Sequence, residues 1–71
     1  MVVRWYNQFT SSFIKLIGYK KDKEELYVVM ESGVYKYFNV PINTLDAFLN
    51  SESKGRYFDS RIKNVYVYLN L

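Results

Sequence analysis

Residues 26–38 read LYVVMESGVYKYF, and this stretch predicts the centre of the fold. From Leu26 to Glu31, apolar residues occupy both faces of a strand with period two. Ser32-Gly33 then predicts a tight turn, because glycine accepts a positive φ, and Val34 to Val40 completes a hairpin. Since both faces of the first strand are apolar, we expect both sides of the sheet to be covered.

The segment before this hairpin predicts one more strand. Ser12 to Tyr19 is rich in β-branched and aromatic residues, and the polar run of residues 20–25 after it indicates a turn. The three consecutive strands form a small antiparallel meander.

Two helices are predicted after the meander. Pro41 ends the strand, because it has no N–H, and its fixed φ suits the start of a helix. The first helix carries one apolar stripe, in which the spacing is i, i+3, i+6 and i+7. This stripe of the first helix comprises Ile42, Leu45, Phe48 and Leu49.

Ser53 is a favoured N-cap for a second helix, which is predicted from about Lys54 to Lys63.

The C-terminal residues 65–71, VYVYLNL, alternate at period two and predict a late strand. This strand either returns to an edge of its own sheet or pairs with another copy of the chain. We therefore expect a single α+β domain over residues 1–71. Its core covers about residues 11–63, and residues 1–10 and 64–71 are terminal extensions.

The composition excludes several classes of function. The 71 residues contain no Cys and no His, which excludes the usual zinc, haem and disulfide sites and any Ser-His nucleophile pair. Carboxylates do not occur at a spacing that demands a shared catalytic site, so we expect a protein that is not an enzyme and has no cofactor or metal. Without a signal peptide or an apolar span, the expected location is cytoplasmic, away from membranes.

Size and aromatic content favour self-association. A core of this size supplies only about 3 to 5 kcal/mol of net stability, and small domains often gain more from a partner chain. Fourteen aromatic residues exceed what the core can bury. We therefore expect a homo-oligomer, a dimer or larger.

The candidate site begins at Ser53-Lys54-Gly55-Arg56, where the second helix starts. The first N–H groups of a helix lack internal partners, and a phosphate there meets these donors and the positive end of the helix dipole. Lys54 and Arg56 add charge, Gly55 permits close approach of the backbone, and Arg61 and Lys63 follow one to two turns later. In the alternative interpretation Ser53 only caps the helix, Gly55 relieves crowding between the helices, and the basic side chains are solvated.

Tyrosines extend this site toward a nucleotide. Tyr35, Tyr37 and Tyr57, if exposed, are suited to stacking on a base. The net charge of +3 is compatible with an anionic ligand. The predicted function is non-catalytic binding of RNA or a small nucleotide, and sequestration of a nucleotide is one variant of this hypothesis. The alternative is a protein interaction or self-assembly module with no small ligand.

The ordered set of motifs resembles the KTSC domain, a family named after a C-terminal appendage of some lysyl-tRNA synthetases. The resemblance covers about fifty residues, from Ser11 to about Lys63. It rests on Ser11-Ser12 with Ile14, Gly18-Tyr19, Tyr35-Lys36-Tyr37-Phe38, Val40-Pro41, and Ser53-Lys54-Gly55-Arg56-Tyr57-Phe58 with Ile62.

The resemblance implies a three-stranded sheet with two helices and, from the synthetase context, RNA binding. The family also includes short stand-alone proteins, some of them in phage genomes, which this chain resembles by length. Two positions depart from the family pattern, because Asp59 replaces the usual Asn and Lys63 replaces the usual Arg. Asp59 adds a carboxylate beside the anion site, and Lys63 lacks the bidentate fork that suits phosphate.

Overall fold

The computed structural model describes residues 2–71, which form five strands and two helices. The strands make one antiparallel sheet in the order β1-β2-β3-β4-β5. The elements are β1 (Arg4–Tyr6), β2 (Ile14–Lys20), β3 (Glu25–Met30), β4 (Gly33–Tyr37), α1 (Ile42–Asn50), α2 (Lys54–Arg61) and β5 (Tyr68–Asn70).

The α+β class is confirmed, but the predicted three-stranded sheet is too small. β1 pairs with β2, where Trp5 lies opposite Gly18, and β5 pairs with β4, where Leu69 lies opposite Lys36. β1 has three residues, too few for a periodic pattern to identify, whereas β5 lies within the C-terminal stretch that was predicted as a strand. The C-terminal segment thus returns to its own sheet. It does so only from Tyr68, later than the predicted strand start at residue 65.

Two strand boundaries differ from the prediction for local reasons. β2 begins at Ile14, because the Ser11 hydroxyl oxygen accepts hydrogen bonds from the amides of Phe13 and Ile14, at 3.4 and 3.1 Å. These bonds form a turn before the strand. In the β3–β4 hairpin Met30 pairs with Gly33, so the turn residues are 31 and 32, and Gly33 opens β4 with φ +147°.

Both helices are confirmed with small changes. In α1 the predicted stripe holds for Leu45 and Phe48, which are buried, whereas Ile42 is 41% exposed. α2 ends at Arg61 because the backbone then turns, and the Phe58 carbonyl accepts the amides of both Ile62 and Lys63.

The core is a single layer between the helices and one face of the sheet. The Tyr19 hydroxyl donates a 2.6 Å hydrogen bond to the carbonyl of Val40, which fixes the entry to α1. Burial raises the pKa of Tyr19, and nearby Glu24 and Asp46 add to the effect. The buried apolar residues are Ile14, Ile17, Tyr19, Leu26, Val28, Tyr37, Val40, Leu45, Phe48, Phe58 and Ile62.

The opposite side of the sheet, here called the outer face, faces away from this core. The cross-strand row Trp5, Gly18, Tyr27, Lys36 and Leu69 lies on it. The rings of Trp5 and Tyr27 have centroids 6.0 Å apart. Within residues 2–71 both helices pack against the inner face, so the expectation that the other side of the sheet is also covered stays a prediction. Neither helix of residues 2–71 has the length and apolarity to cross a membrane.

Candidate ligand-binding site at the start of the second helix

The start of α2 is capped as predicted. The Ser53 hydroxyl oxygen accepts a hydrogen bond from the amide of Arg56 at 3.2 Å, and the Ser53 carbonyl accepts the amide of Tyr57 at 3.0 Å. The amides of Lys54 and Gly55 have no acceptor among residues 2–71. These two donors are the ones that a helix start leaves for a ligand or water.

A cleft of about 630 Å³, here called the hydroxyl cleft, lies beside this helix start. One wall is the segment Thr10 to Phe13, which precedes β2, and the other is formed by residues 52–56 with Asp59 and Ser60. Five lining residues carry a hydroxyl group. They are Thr10, Ser11, Ser12, Ser53 and Ser60.

Gly55 leaves room for a side chain of the opposite wall of this cleft. A Cβ atom at Gly55 would lie 2.7 Å from Cε1 of Phe13 and closer still to Cζ. Carbon atoms make favourable contacts only at about 3.5 to 4.0 Å, so the ring occupies the space that glycine leaves free. The alternative interpretation expected Gly55 to relieve crowding between the two helices. Glycine does relieve crowding here, but the neighbouring side chain is Phe13, in the segment before β2, and not a residue of α1.

The four predicted basic residues do not meet in a single cleft. Arg56 is exposed and lines the hydroxyl cleft, as does Lys54. Lys54 is partly committed elsewhere, because its Nζ donates to the carbonyl of Ser51 at 2.7 Å and lies 5.8 Å from the ring centroid of Phe9. Arg61 lines a separate depression, which it shares with Ser53, Arg56 and Tyr57, and Lys63 lines a third.

Two carboxylates oppose an anion in the hydroxyl cleft. Glu52 and Asp59 both line it, so Arg56 and Lys54 are balanced by equal negative charge. Both acids are exposed, and exposed charges are screened by water and salt. What the cleft offers an anion is therefore hydroxyl and amide donors more than net positive charge. Within residues 2–71 no three Asp or Glu side chains cluster as a metal site would require.

The three predicted stacking tyrosines have different environments. Tyr37 is 2% exposed, and its ring contacts Phe58 edge-on at 5.8 Å, so it belongs to the core and has no free face. Burial raises the pKa of Tyr37 to about 12. Tyr57 stacks on Phe48 at 5.5 Å, away from the hydroxyl cleft. Tyr35 is half-buried, with its hydroxyl 3.4 Å from that of Ser32.

A second cleft of about 420 Å³, here called the aromatic cleft, adjoins the first. The two share Phe13 and Asp59. Sequence reasoning missed Phe13, Asn64 and Tyr68 as site residues, although Ser11-Ser12 in the family pattern pointed to the segment that contains Phe13. The lining residues are Phe13, Met30, Ser32, Tyr35, Tyr37, Phe58, Asp59, Lys63, Asn64 and Tyr68.

Comparison with known proteins identifies the family. Residues 10–66 match the KTSC domain. The chain belongs to the KTSC domain family. The crystal structure of a KTSC domain protein from Yersinia pestis superimposes with a TM-score of 0.93 at 32% identity, covering 99% of each chain. The matched range includes the capped start of α2 and the segment from Thr10 to Phe13, so both walls of the hydroxyl cleft are part of the KTSC domain.

Two curated relatives are lysine–tRNA ligases. The chain is 40% identical over 58 residues to the enzyme of Trichormus variabilis and 38% identical over 58 residues to that of a Nostoc species. Each match covers 80% of this chain but 10% of the ligase. This KTSC domain therefore corresponds to a small part of those enzymes.

Proposed function

We propose that this KTSC domain is a non-catalytic module that binds a phosphate-bearing ligand, RNA or a small nucleotide, in the hydroxyl cleft. The observation that carries the proposal is the convergence of two distant segments on the start of α2. Residues 10–12, each of which carries a hydroxyl group, line the same cleft as Lys54 and Gly55, whose amides have no acceptor, and Arg56 lines this cleft as well.

The chemistry of these groups suits a phosphate. Backbone amides at a helix start and hydroxyl groups are neutral donors, and they bind phosphate oxygens without the desolvation cost of a buried lysine. Arg56 supplies a planar fork that can donate two parallel hydrogen bonds to one phosphate. The relation to lysine–tRNA ligases supports a nucleotide or nucleic acid as the carrier of that phosphate.

Arg56→Ala tests the cleft directly. We expect it to reduce binding of inorganic phosphate and of AMP at least tenfold by isothermal titration calorimetry, in line with the loss of a charge-assisted hydrogen bond. Lys23→Ala is the control, because it removes one positive charge at a residue that lines neither cleft. Arg61→Ala should also bind as wild type, and an equal loss in Arg61→Ala and Arg56→Ala would contradict the proposed place of the ligand.

The salt dependence of binding distinguishes RNA from a small nucleotide. If the ligand is RNA, the logarithm of affinity falls linearly with the logarithm of salt over several phosphate contacts. A small nucleotide gives a shallower slope. In the second case the protein acts by sequestration, since binding alone keeps the nucleotide from other proteins.

The outer face supports a second candidate function, self-assembly without a small ligand. Trp5 is 49% exposed at one edge of the sheet, and Leu69 and Leu71 are 52% and 65% exposed at the other. The charges between them are already paired, because Glu25 lies 3.8 Å from Lys20 and 3.4 Å from Lys36. Large apolar side chains exposed on the same face support a protein contact there.

Size-exclusion chromatography with light scattering tests this candidate. If the outer face joins two copies, Leu69→Lys converts a dimer to a monomer, whereas Arg56→Ala leaves the mass unchanged. A wild-type monomer at all concentrations would exclude self-assembly. The cytoplasmic location, the absence of catalysis and a phage origin stay predictions from the sequence.

A further inference from the structure

The aromatic cleft has the character of a pocket for a flat ring. Tyr68 is 50% exposed, and its ring lies 5.4 Å from that of Tyr37 and 6.0 Å from that of Tyr35. Phe13, from the segment before β2, is 40% exposed. The volume of about 420 Å³ is within the range of about 300 to 1,000 Å³ that is usual for small-molecule sites.

Polar groups line this cleft together with the aromatic rings. Asp59, Lys63 and Asn64 are exposed, and none of them joins the ion pairs or side-chain hydrogen bonds of residues 2–71. A carboxylate accepts hydrogen bonds, an ammonium donates them, and an amide does both. Aromatic faces with such groups beside them match a heteroaromatic ring with hydrogen-bonding edges better than an aliphatic group.

The position of the cleft connects it to the start of α2. Phe13 and Asp59 line both clefts, so the two clefts are direct neighbours. Along α2, Asp59 lies four residues after Gly55, a rise of about 6 Å. A ribose is of suitable length to join a phosphate at the helix start to a base in the aromatic cleft.

We propose that the aromatic cleft binds the base of a small nucleotide whose phosphate lies in the hydroxyl cleft. This inference rests on the proposed function and adds to it the ligand class and the place of the base. It assigns stacking to Tyr68, with Tyr35 beside it, and hydrogen bonding to Asn64. Tyr37 supports the ring of Tyr68 from the core.

Matched ligands test the base and the phosphate separately. Affinities are measured by calorimetry for AMP, GMP, CMP, UMP, ribose 5-phosphate and adenosine. Stacking of one base corresponds to a gain of roughly 5- to 150-fold, so at least one nucleotide should bind that much more tightly than ribose 5-phosphate. If no nucleotide exceeds ribose 5-phosphate, the aromatic cleft does not bind a base, although the proposed phosphate site stands.

Other outcomes separate the two proposals. Binding of adenosine with none of ribose 5-phosphate would overturn the phosphate site and keep the base pocket. If no phosphate compound and no nucleoside binds, both proposals fail. A single-stranded hexaribonucleotide that binds tenfold more tightly than every mononucleotide would replace the small nucleotide by RNA.

Variants locate the base. Tyr68→Leu keeps apolar volume but removes the aromatic face, and we expect it to lower the affinity for the best nucleotide to that of ribose 5-phosphate. Leu69→Ala is the control, because it alters the same strand on the outer face. Asn64→Ala, an exposed substitution that leaves the core intact, should weaken the nucleotide about threefold or more and leave ribose 5-phosphate unchanged. Equal losses for both ligands in Tyr68→Leu would indicate a structural effect and overturn the assignment.

Discussion

Gly55→Ala tests how the hydroxyl cleft is built, because two opposing effects act at this residue. Alanine favours the helix, by about 1 kcal/mol in a helix interior and by about half of that in a first turn. The added Cβ, however, would lie 2.7 Å from Cε1 of Phe13. The ring must therefore move out of its place beside α2.

The cost of moving Phe13 exceeds the gain in helix propensity. Phe13 is 40% exposed, so about three fifths of the side chain is buried. Full burial of a phenylalanine contributes about 1.5 to 3 kcal/mol, which makes the buried part worth about 1 to 2 kcal/mol. The gain in helix propensity offsets part of this loss. Gly55→Ala should therefore lower the free energy of unfolding by about 1 kcal/mol, which corresponds to a fall in Tm of about 4 to 8 °C.

Urea unfolding followed by circular dichroism measures this effect, and a double-mutant cycle with Phe13→Ala isolates its cause. Once the ring is absent, the added methyl group has space, and Gly55→Ala should stabilise the protein by about 0.5 kcal/mol. The change of sign is the specific prediction. Equal destabilisation in both backgrounds, or stabilisation in the wild-type background, would refute the contact between Phe13 and Gly55 as the reason for glycine.

Three further predictions concern single groups. Tyr19→Phe removes the hydrogen bond to the Val40 carbonyl and should cost about 1 to 3 kcal/mol in urea unfolding, whereas Tyr27→Phe on the outer face should cost under 0.5 kcal/mol; equal effects would contradict the importance of the bond. Because burial raises the pKa of Tyr37 to about 12, the unfolded chain loses this proton first, so stability should fall between pH 10 and 12, by roughly 1 kcal/mol from Tyr37 alone at pH 11. In Tyr37→Phe this part of the pH dependence should disappear, and an unchanged profile would assign it to other groups. Asp59→Asn removes an exposed carboxylate from the cleft and should raise the affinity for inorganic phosphate roughly two- to fivefold in calorimetry, while unchanged or weaker binding would place the anion elsewhere.

The elements that local sequence determines were predictable. The alternation before and after Ser32-Gly33 identified the hairpin, and Pro41 and Ser53 marked the two helix starts, because each signal acts within a few residues. The alternation of residues 65–71 also indicated the edge strand β5, but the edge strand β1 was not predictable with the same rules. The ring of Trp5 occupies the space that the missing side chain of Gly18 leaves free. The two residues lie on different strands, so no local sequence pattern connects them.

The candidate site divides in the same way. The cap at Ser53 and the rim position of Arg56 follow from residues 53–56 alone. The second wall comes from residues 10–13, about forty positions earlier, and only the tertiary fold brings it to α2. Tertiary contacts also determine how exposed the tyrosines are. Tyr35 and Tyr37 lie on the same face of β4, but Phe58 packs on Tyr37 and buries it, whereas Tyr35 stays half-buried.

Backbone amide NMR during a titration with AMP reports directly where an anionic ligand binds. If the phosphate lies in the hydroxyl cleft, the largest chemical-shift changes should occur at the amides of Lys54 and Gly55, with smaller changes from Ser11 to Phe13 and at Tyr68. Inorganic phosphate should reproduce the first set and not the change at Tyr68. Changes confined to the outer face, or no saturable change at millimolar AMP, would contradict a phosphate site at the start of α2.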